Sequence, residues 1–473
     1  MARPQTQREA LTAVDTAWLR MDRPSNLMMI CGMLMLEAPV GLQQLRDVIR
    51  TRMLCFHRFR QRVADAAGSP YWETDAEFDL DWHVRHMALP AGDTALQEVA
   101  SDLFSTPLDP ARPMWQCHLI DMPGTSAVIM RIHHCYGDGF AMLHVVNAFT
   151  DAYAGRPGMA GEDLAPQQPA RSAWEHVLGP VTEAAGDALR LVQTAAGIGA
   201  AVVNEPRIVR GAARTGADLL YQAAVIAGMT PDAPSRLKGK LGVIKKVAWA
   251  APIALADIKA VAAVLGCTVN DVLVACVTGA LAAYLEDQSD TAAKLDLRAL
   301  VPVNLRPPGR LTELGNQFGL VFLDLPSAIG DPVQRAIEVH KRMDLLKQST
   351  QPQVALAILT AIGVAPEPLK ERLLEALAAN ASMVVTNVHG PDHARYLAGQ
   401  RITRQLFWVP QSGGIGLGIS LLSYAGQLNF GVAADARRIP DPDRIPQLFA
   451  RQFEALLLAA LMMPWPGDAG DGG

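Results

Sequence analysis

Apolar residues in this chain come in short runs, each closed by turn-forming residues, and stretches with helical spacing alternate with them. Leu27–Leu36 is one such run; it ends at Glu37-Ala38-Pro39 and leads into Leu42–Met53, whose spacing suits an amphipathic helix. Ala127–Ile132 reads as a buried strand and Phe140–Tyr153 as the helix after it. A second region of the same kind starts near Lys240. It contains the strand Val243–Ala250, the helices Ala254–Leu265 and Asn270–Leu285, and the strands Leu297–Val303, Gly319–Leu325, Met383–Val388, Gly416–Tyr424 and Gln427–Val432. Asp443–Leu461 reads as a final helix. The alternation predicts an α/β fold in two halves. The longest apolar runs, Leu27–Leu36 and Ala455–Met463, fall short of the ~20 residues that a membrane span needs. No repeat of fixed period is visible.

The chain has 473 residues, and at ~150 residues per domain that length allows three domains or two larger ones. The expected division is a first half over 1–170, a connector over 171–239 rich in Ala, Gly and Val, and a second half over 240–473 with a disordered tail from about 464. The connector reads as helices of weak polarity, packed between the halves or lying on a lipid surface, with packing the plainer reading. Half of the residues are apolar, which rules out disorder. Only 19% are charged, against about 25% in ordinary soluble domains, so part of the surface is expected to meet something apolar. Forty-two Lys and Arg face 47 Asp and Glu, a balance that excludes an ordinary nucleic-acid binder. Cys31, Cys55, Cys117, Cys135, Cys267 and Cys276 show no CxxC spacing and read as reduced core residues. The N-terminus shows no secretory h-region, so the expected compartment is cytoplasmic, with membrane contact only at the surface.

The sharpest local feature is Arg131-Ile132-His133-His134-Cys135-Tyr136-Gly137-Asp138-Gly139. It follows a buried strand and opens a helix, a place where catalytic groups are commonly presented. Adjacent strand residues point to opposite faces, so His133 and His134 cannot both face one cavity. One can act as a base while the other packs into the wall. Asp138 suits an N-cap, and Gly139 tolerates turn geometry. A neutral imidazole can take a proton from a hydroxyl as that hydroxyl attacks a carbonyl. Gly-x-Ser-x-Gly is absent nearby, so direct base catalysis without a covalent enzyme intermediate is the simplest chemistry. A metal site or purely structural histidines are the competing readings, and no metal is expected. Cys135 reads as filler. Gly413–Gly418 lacks the order of a nucleotide loop and reads as close strand packing.

His-His-x-x-x-Asp-Gly resembles the motif of the acyltransferase superfamily that includes chloramphenicol acetyltransferase and the peptide-synthetase condensation domains. The rest of the chain resembles the bacterial wax ester synthase/acyl-CoA:diacylglycerol acyltransferase family. The resemblance runs through Leu11–Trp18, Pro107-Leu108-Asp109 with Arg112-Pro113-Met114-Trp115, Thr268-Val269-Asn270-Asp271, Pro302–Arg306 with Gly315-Asn316, Thr386–Pro391, and Ser423–Gly431 with Asp435, in family order. Met114 stands for the usual Leu, Thr386 for Ser and His389 for Pro.

The resemblance implies two chloramphenicol-acetyltransferase-like α/β subdomains joined by a helical connector, with the active site at their interface. It implies that His134 is the general base, activating a fatty alcohol or the free hydroxyl of diacylglycerol for attack on a long-chain acyl-CoA. Acyl-CoA is a co-substrate, and no cofactor is implied. His133, Asp138, Gly139 and Asn270 are expected to support the site, Asp138 by orienting its loop through an arginine. Asn270 orients a reacting group, caps the helix behind it, or does both. Trp115 and Asp271 are candidate substrate-binding positions; for Trp115 core burial is the readier reading. Asn316 and Asn387 are expected at strand ends, holding the halves together. Insoluble lipid products imply a peripheral contact with a membrane or lipid inclusion. Other acceptors, a hydroxyl or an amine, and a non-catalytic lipid-inclusion coat are the rival readings.

Overall fold

The strand Thr125–His133 is buried along almost its whole length, because both faces of its sheet are covered. The computed structural model describes residues 8–66, 68–153, 229–306, 314–347, 351–364 and 370–463, apart from 372, 373, 376, 377 and 412. Most of the expected connector, and the expected tail, lie outside these residues. Thr125–His133 is central to a six-stranded sheet ordered Tyr396–Leu397, Gln400–Trp408, Met29–Leu36, Thr125–His133, Trp115–Met122, Val84–Ala88. A second sheet runs Phe318–Leu325, Leu297–Asn304, Met383–His389, Leu417–Tyr424, Gln427–Asp435, Lys245–Trp249, with Ile253–Ala254 also paired to Gln427–Asp435. Leu297–Asn304, Met383–His389 and Leu417–Tyr424 run parallel, as a β-strand chain needing crossovers requires. The fold is mixed α/β with two sheet-rich halves, as expected.

The division is less clean than the sequence suggested. Gln400–Trp408 belongs to the expected second half, yet it pairs antiparallel with Met29–Leu36 in the sheet of the first. Gln351–Val364 likewise packs on the helix Ala13–Met21. Gly363 permits the approach, since a Cβ there would sit 1.8 Å from the Ala13 carbonyl oxygen. The boundary near residue 240 therefore separates segments of chain rather than sheets.

The second core is built around the helix Val269–Asp287. Thr268 caps it: its side chain accepts from the Asp271 N–H, and Asp271 Oδ2 accepts from the Thr268 N–H, a reciprocal capping box. The cap is thus Thr268 and not Asn270, which lies in the first turn. By length and composition this helix is apolar enough to cross a membrane, a feature the run-length reading overlooked. Its apolar window is 78% buried inside the protein, as in a core helix. The cysteine expectation needs one correction. Cys31, Cys117, Cys135 and Cys276 are buried, but Cys55 is exposed and Cys267 half-buried; all six are free.

Candidate active site

The motif starts at the end of a strand and finishes on a helix. His133 closes Thr125–His133, His134–Tyr136 form one 3-10 turn, and Asp138 caps the helix Gly139–Phe149. Asp138 Oδ1 accepts from the N–H groups of Phe140 and Ala141, each at 3.1 Å. Gly137 is required here. A Cβ on it would lie 2.8 Å from that of Ala141 and 3.3 Å from the Gly315 nitrogen.

The two histidines point apart, His133 from the last position of the strand and His134 from the turn that follows. His133 is buried away from the cavity; its Nδ1 accepts from the Cys135 N–H, and its Nε2 lies 3.8 Å from Asp22 Oδ2. His134 lines a cavity with about 1050 Å³ of empty space, together with Trp18, Asp138 and Gly139 from the first half and Phe318 and Asn387 from the second. Its Nδ1 lies 2.9 Å from Asn316 Oδ1. The Asn316 Nδ2 group donates to Asp15 Oδ1 at 2.8 Å and to the His134 carbonyl at 2.7 Å. Two acceptors around Nδ2 fix the amide orientation, so Oδ1 must face the ring and Nδ1 must carry the proton. Nε2 is left with the lone pair, and it makes no hydrogen bond among the described residues.

Burial sets the charge of these groups. It lowers the His134 pKa to about 4, against opposing pulls from Asp138 and Asn316. Burial lowers His133 to about 3, helped by its neighbour. Both rings are neutral at neutral pH. Burial raises the Asp15 carboxyl, with the Asn316 and Thr12 hydrogen bonds pulling it back, and pushes the Cys135 thiol well up, which suits packing and not nucleophilic attack.

The arginine that Asp138 was expected to use is Arg306: its Nη1 lies 2.6 Å from Asp138 Oδ2, and its Nη2 donates to the Gly315 carbonyl. Gln317 N–H also donates to Asp138 Oδ2. Asp138 thus ties the loop to the second half of the chain. Asn270 is a step removed from the cavity: its Oδ1 accepts from Asn387 Nδ2 at 2.9 Å, and Asn387 is the one on the wall.

Two candidate substrate-binding positions lie away from the cavity, Trp115 in keeping with its readier reading as a core residue. Trp115 is in the core, where its ring stacks on His83 at 4.4 Å and its Nε1 donates to the Phe59 carbonyl. It does not line the cavity. Asp271 is engaged by the capping box and by His340 Nδ1 at 2.7 Å, which leaves it no role at the cavity wall. Sequence reasoning gave no role to Trp18, whose ring stacks on His134 with centroids 4.0 Å apart and planes 16° from parallel. Asp15 and Trp18 stand three residues apart on one helix, a spacing that puts both on one face and was the available signal. Among the described residues no three His, Cys, Asp or Glu side chains group as metal ligands.

Comparison with known proteins places this geometry. Residues 11–273 match the family described as "Wax ester synthase/diacylglycerol acyltransferase catalytic domain", and residues 314–457 match "WS/DGAT C-terminal domain". A Mycobacterium tuberculosis protein named as a diacylglycerol O-acyltransferase is 30% identical over 418 residues, 84% of each chain. A second from that organism, named tgs1, is 26% identical over 451 residues, 92% of this chain and 93% of its own. Among solved structures, the wax ester synthase/diacylglycerol acyltransferase from Marinobacter aquaeolei VT8 superposes with a TM-score of 0.67 at 22% identity, over 96% of this chain and all of the other. The first condensation domain of the CDA synthetase, at 17% identity and a TM-score of 0.55 over 97% of each chain, has the same fold. With two halves meeting at the histidine motif, one family match spanning that motif and a second covering the later part of the chain, this chain is an acyltransferase that belongs to the wax ester synthase/diacylglycerol acyltransferase family.

Proposed function

We propose that the protein transfers a long-chain acyl group from acyl-CoA to a fatty alcohol or to the free hydroxyl of diacylglycerol, with His134 as general base. The observation that carries this reading is the hydrogen bond between His134 Nδ1 and Asn316 Oδ1, which leaves Nε2 as the basic nitrogen in an apolar cavity. Nε2 takes the acceptor's proton as the acceptor oxygen attacks the thioester carbonyl. The tetrahedral intermediate then expels the CoA sulfur, and the imidazolium returns the proton to it, giving an ester and free CoA. A ring whose pKa burial holds at about 4 is fully unprotonated at pH 7, and its imidazolium, once formed, gives up the proton readily.

Apolar walls suit both substrates, because each buried methylene is worth ~0.8 kcal/mol. The names of the relatives from Mycobacterium and Marinobacter support the two acceptor classes. Peripheral contact with a membrane or lipid inclusion belongs to the same reading, and sedimentation with liposomes tests it. The central test is thiol release from palmitoyl-CoA with hexadecanol or diolein as acceptor. His134→Ala is expected to lose about 10²–10⁴-fold in turnover while staying folded. Full turnover in that variant removes His134 from the role. His133→Ala is expected to act through stability, lowering the melting temperature more than the rate per folded molecule.

A further inference from the structure

A second cavity opens beside the first. It holds about 730 Å³ of empty space between the six-stranded sheet and the helix Gly139–Phe149, and it shares Ile30, Gly139, Val388 and Phe407 with the cavity that reaches His134. Its described lining is apolar except at one position, Gln405.

The pleat shows where that amide points. Gln405 is in register with Leu34, and Phe407 with Gly32, across the pairing of Gln400–Trp408 with Met29–Leu36. Leu34 packs in the same cluster as Met142 and Phe149 of the helix. Cross-strand partners share a face, so Gln405 faces the helix and the cavity between them. The residue is 3% exposed, and its Nε2 is buried with no hydrogen-bond partner among the described residues.

An amide with an unmet donor inside an apolar wall destabilises the empty protein, and native structures keep few such groups. Gly32, opposite Phe407, carries no side chain that would fill the space in front of the sheet. We infer that the Gln405 amide donates a hydrogen bond to an oxygen on the acceptor, so that this cavity favours an ester-bearing acceptor, of which diacylglycerol is the type, over a plain alkanol. The inference rests on the acyl-transfer reading for its chemistry, and on the unpartnered amide for its selectivity.

The test compares two acceptors that differ by an ester, 2-hydroxyethyl palmitate and hexadecanol, in the wild type and in Gln405→Met, which keeps the side-chain length. The wild type is expected to show the higher kcat/KM with the ester. Gln405→Met is expected to lose roughly tenfold with the ester, the size of one neutral hydrogen bond, and to be unchanged with hexadecanol. Without ligand the variant should melt no lower than the wild type, because it removes an unmet donor. A thermal shift on adding each acceptor reads binding apart from turnover and should show the same preference. An unchanged ratio of the two acceptors, in rate and in thermal shift, overturns the inference and leaves an interior water as the partner of the amide. If palmitoyl-CoA releases no thiol with any acceptor, the acyl-transfer reading fails instead, and the thermal shifts still decide the role of Gln405.

Discussion

The Arg306 guanidinium, carried by the second half of the chain, sits 2.6 Å from the Asp138 carboxylate at the head of the helix that follows the histidine pair. Both side chains are almost fully buried, at 0% and 5% exposure. An ion pair out of water is costly to break from one side, because the remaining charge keeps its desolvation cost and loses its partner. The same arginine donates to the Gly315 carbonyl, which the Asp138 N–H also approaches, so the pair joins the two halves where the loop turns.

Arg306→Met is therefore expected to cost about 3–5 kcal/mol of stability in urea unfolding. Asp138→Asn should cost less, since the amide oxygen can still accept from Phe140 and Ala141. A double-mutant cycle on the two positions should give a coupling on the order of 2 kcal/mol. Additive single and double variants would mean that the contact contributes nothing to stability.

Asn316 is predicted to act through His134 and not on substrate. Asn316→Leu removes the acceptor that holds the proton on Nδ1, so the ring can adopt the tautomer with Nε2 protonated. Loss of the correct tautomer costs about 10⁴-fold in a well-studied hydrolase triad; a loss of 100-fold or more in kcat, with KM for acyl-CoA nearly unchanged, is expected here. A fall in KM affinity with kcat preserved would place Asn316 on the substrate instead.

How much of this site could be read from the sequence follows from distance along the chain. The strand–turn–helix from Arg131 to Gly139 was legible because its buried strand, its turn and its cap lie within nine consecutive residues. Asn316 lies 182 residues from His134, and Arg306 lies 168 from Asp138; no local period links such pairs. Arg306, Asn316 and Trp18 all fell inside blocks that resembled the family, but Arg306 and Trp18 were given no role, and Asn316 only that of a strand-end residue holding the halves together. In the fold, strands buried on both faces were legible as continuous apolar runs. Gln400–Trp408 was not, because Arg401, Thr403 and Arg404 break its apolar pattern on an irregular stretch where the register shifts.

The buried histidines predict acid sensitivity. Burial lowers His83 and His134 to about 4, and His118 and His133 to about 3. Above the unfolded value of ~6.5 neither state binds the proton, and these groups leave stability independent of pH. As pH falls from ~6.5 towards 4 the unfolded chain takes up protons that the native protein refuses, so stability drops by up to ~1.4 kcal/mol per pH unit for each histidine. Asp15 and Asp22, whose carboxyls burial raises, work in the opposite direction at the acid end of that window. Urea unfolding between pH 7.5 and 5 is expected to show a steep loss, and His118→Gln, remote from the cavity, should flatten it. A flat profile would contradict the burial of these rings in their neutral form.

Trp18 offers the sharpest separation of stability from chemistry. Its ring lies within 16° of parallel to His134 at 4.0 Å and tilts against Phe318 at 5.9 Å, so it is both a wall of the cavity and a face presented to the His134 ring. An aromatic face attracts a cation, by ~0.5–2 kcal/mol depending on desolvation. That attraction is absent while His134 is neutral and appears when the ring is protonated, so it raises the ring's pKa and, in the proposed acyl transfer, lowers the barrier. Trp18→Leu is expected to reduce kcat and to move the acid limb of a pH-jump rate profile to lower pH than in the wild type. Trp18→Phe, which keeps a ring with a weaker face, should fall between them in both measures. Stability should follow volume instead, dropping most for Trp18→Ala, by about 3–5 kcal/mol. If rate tracks stability across the three variants and the acid limb does not move, Trp18 serves as packing alone.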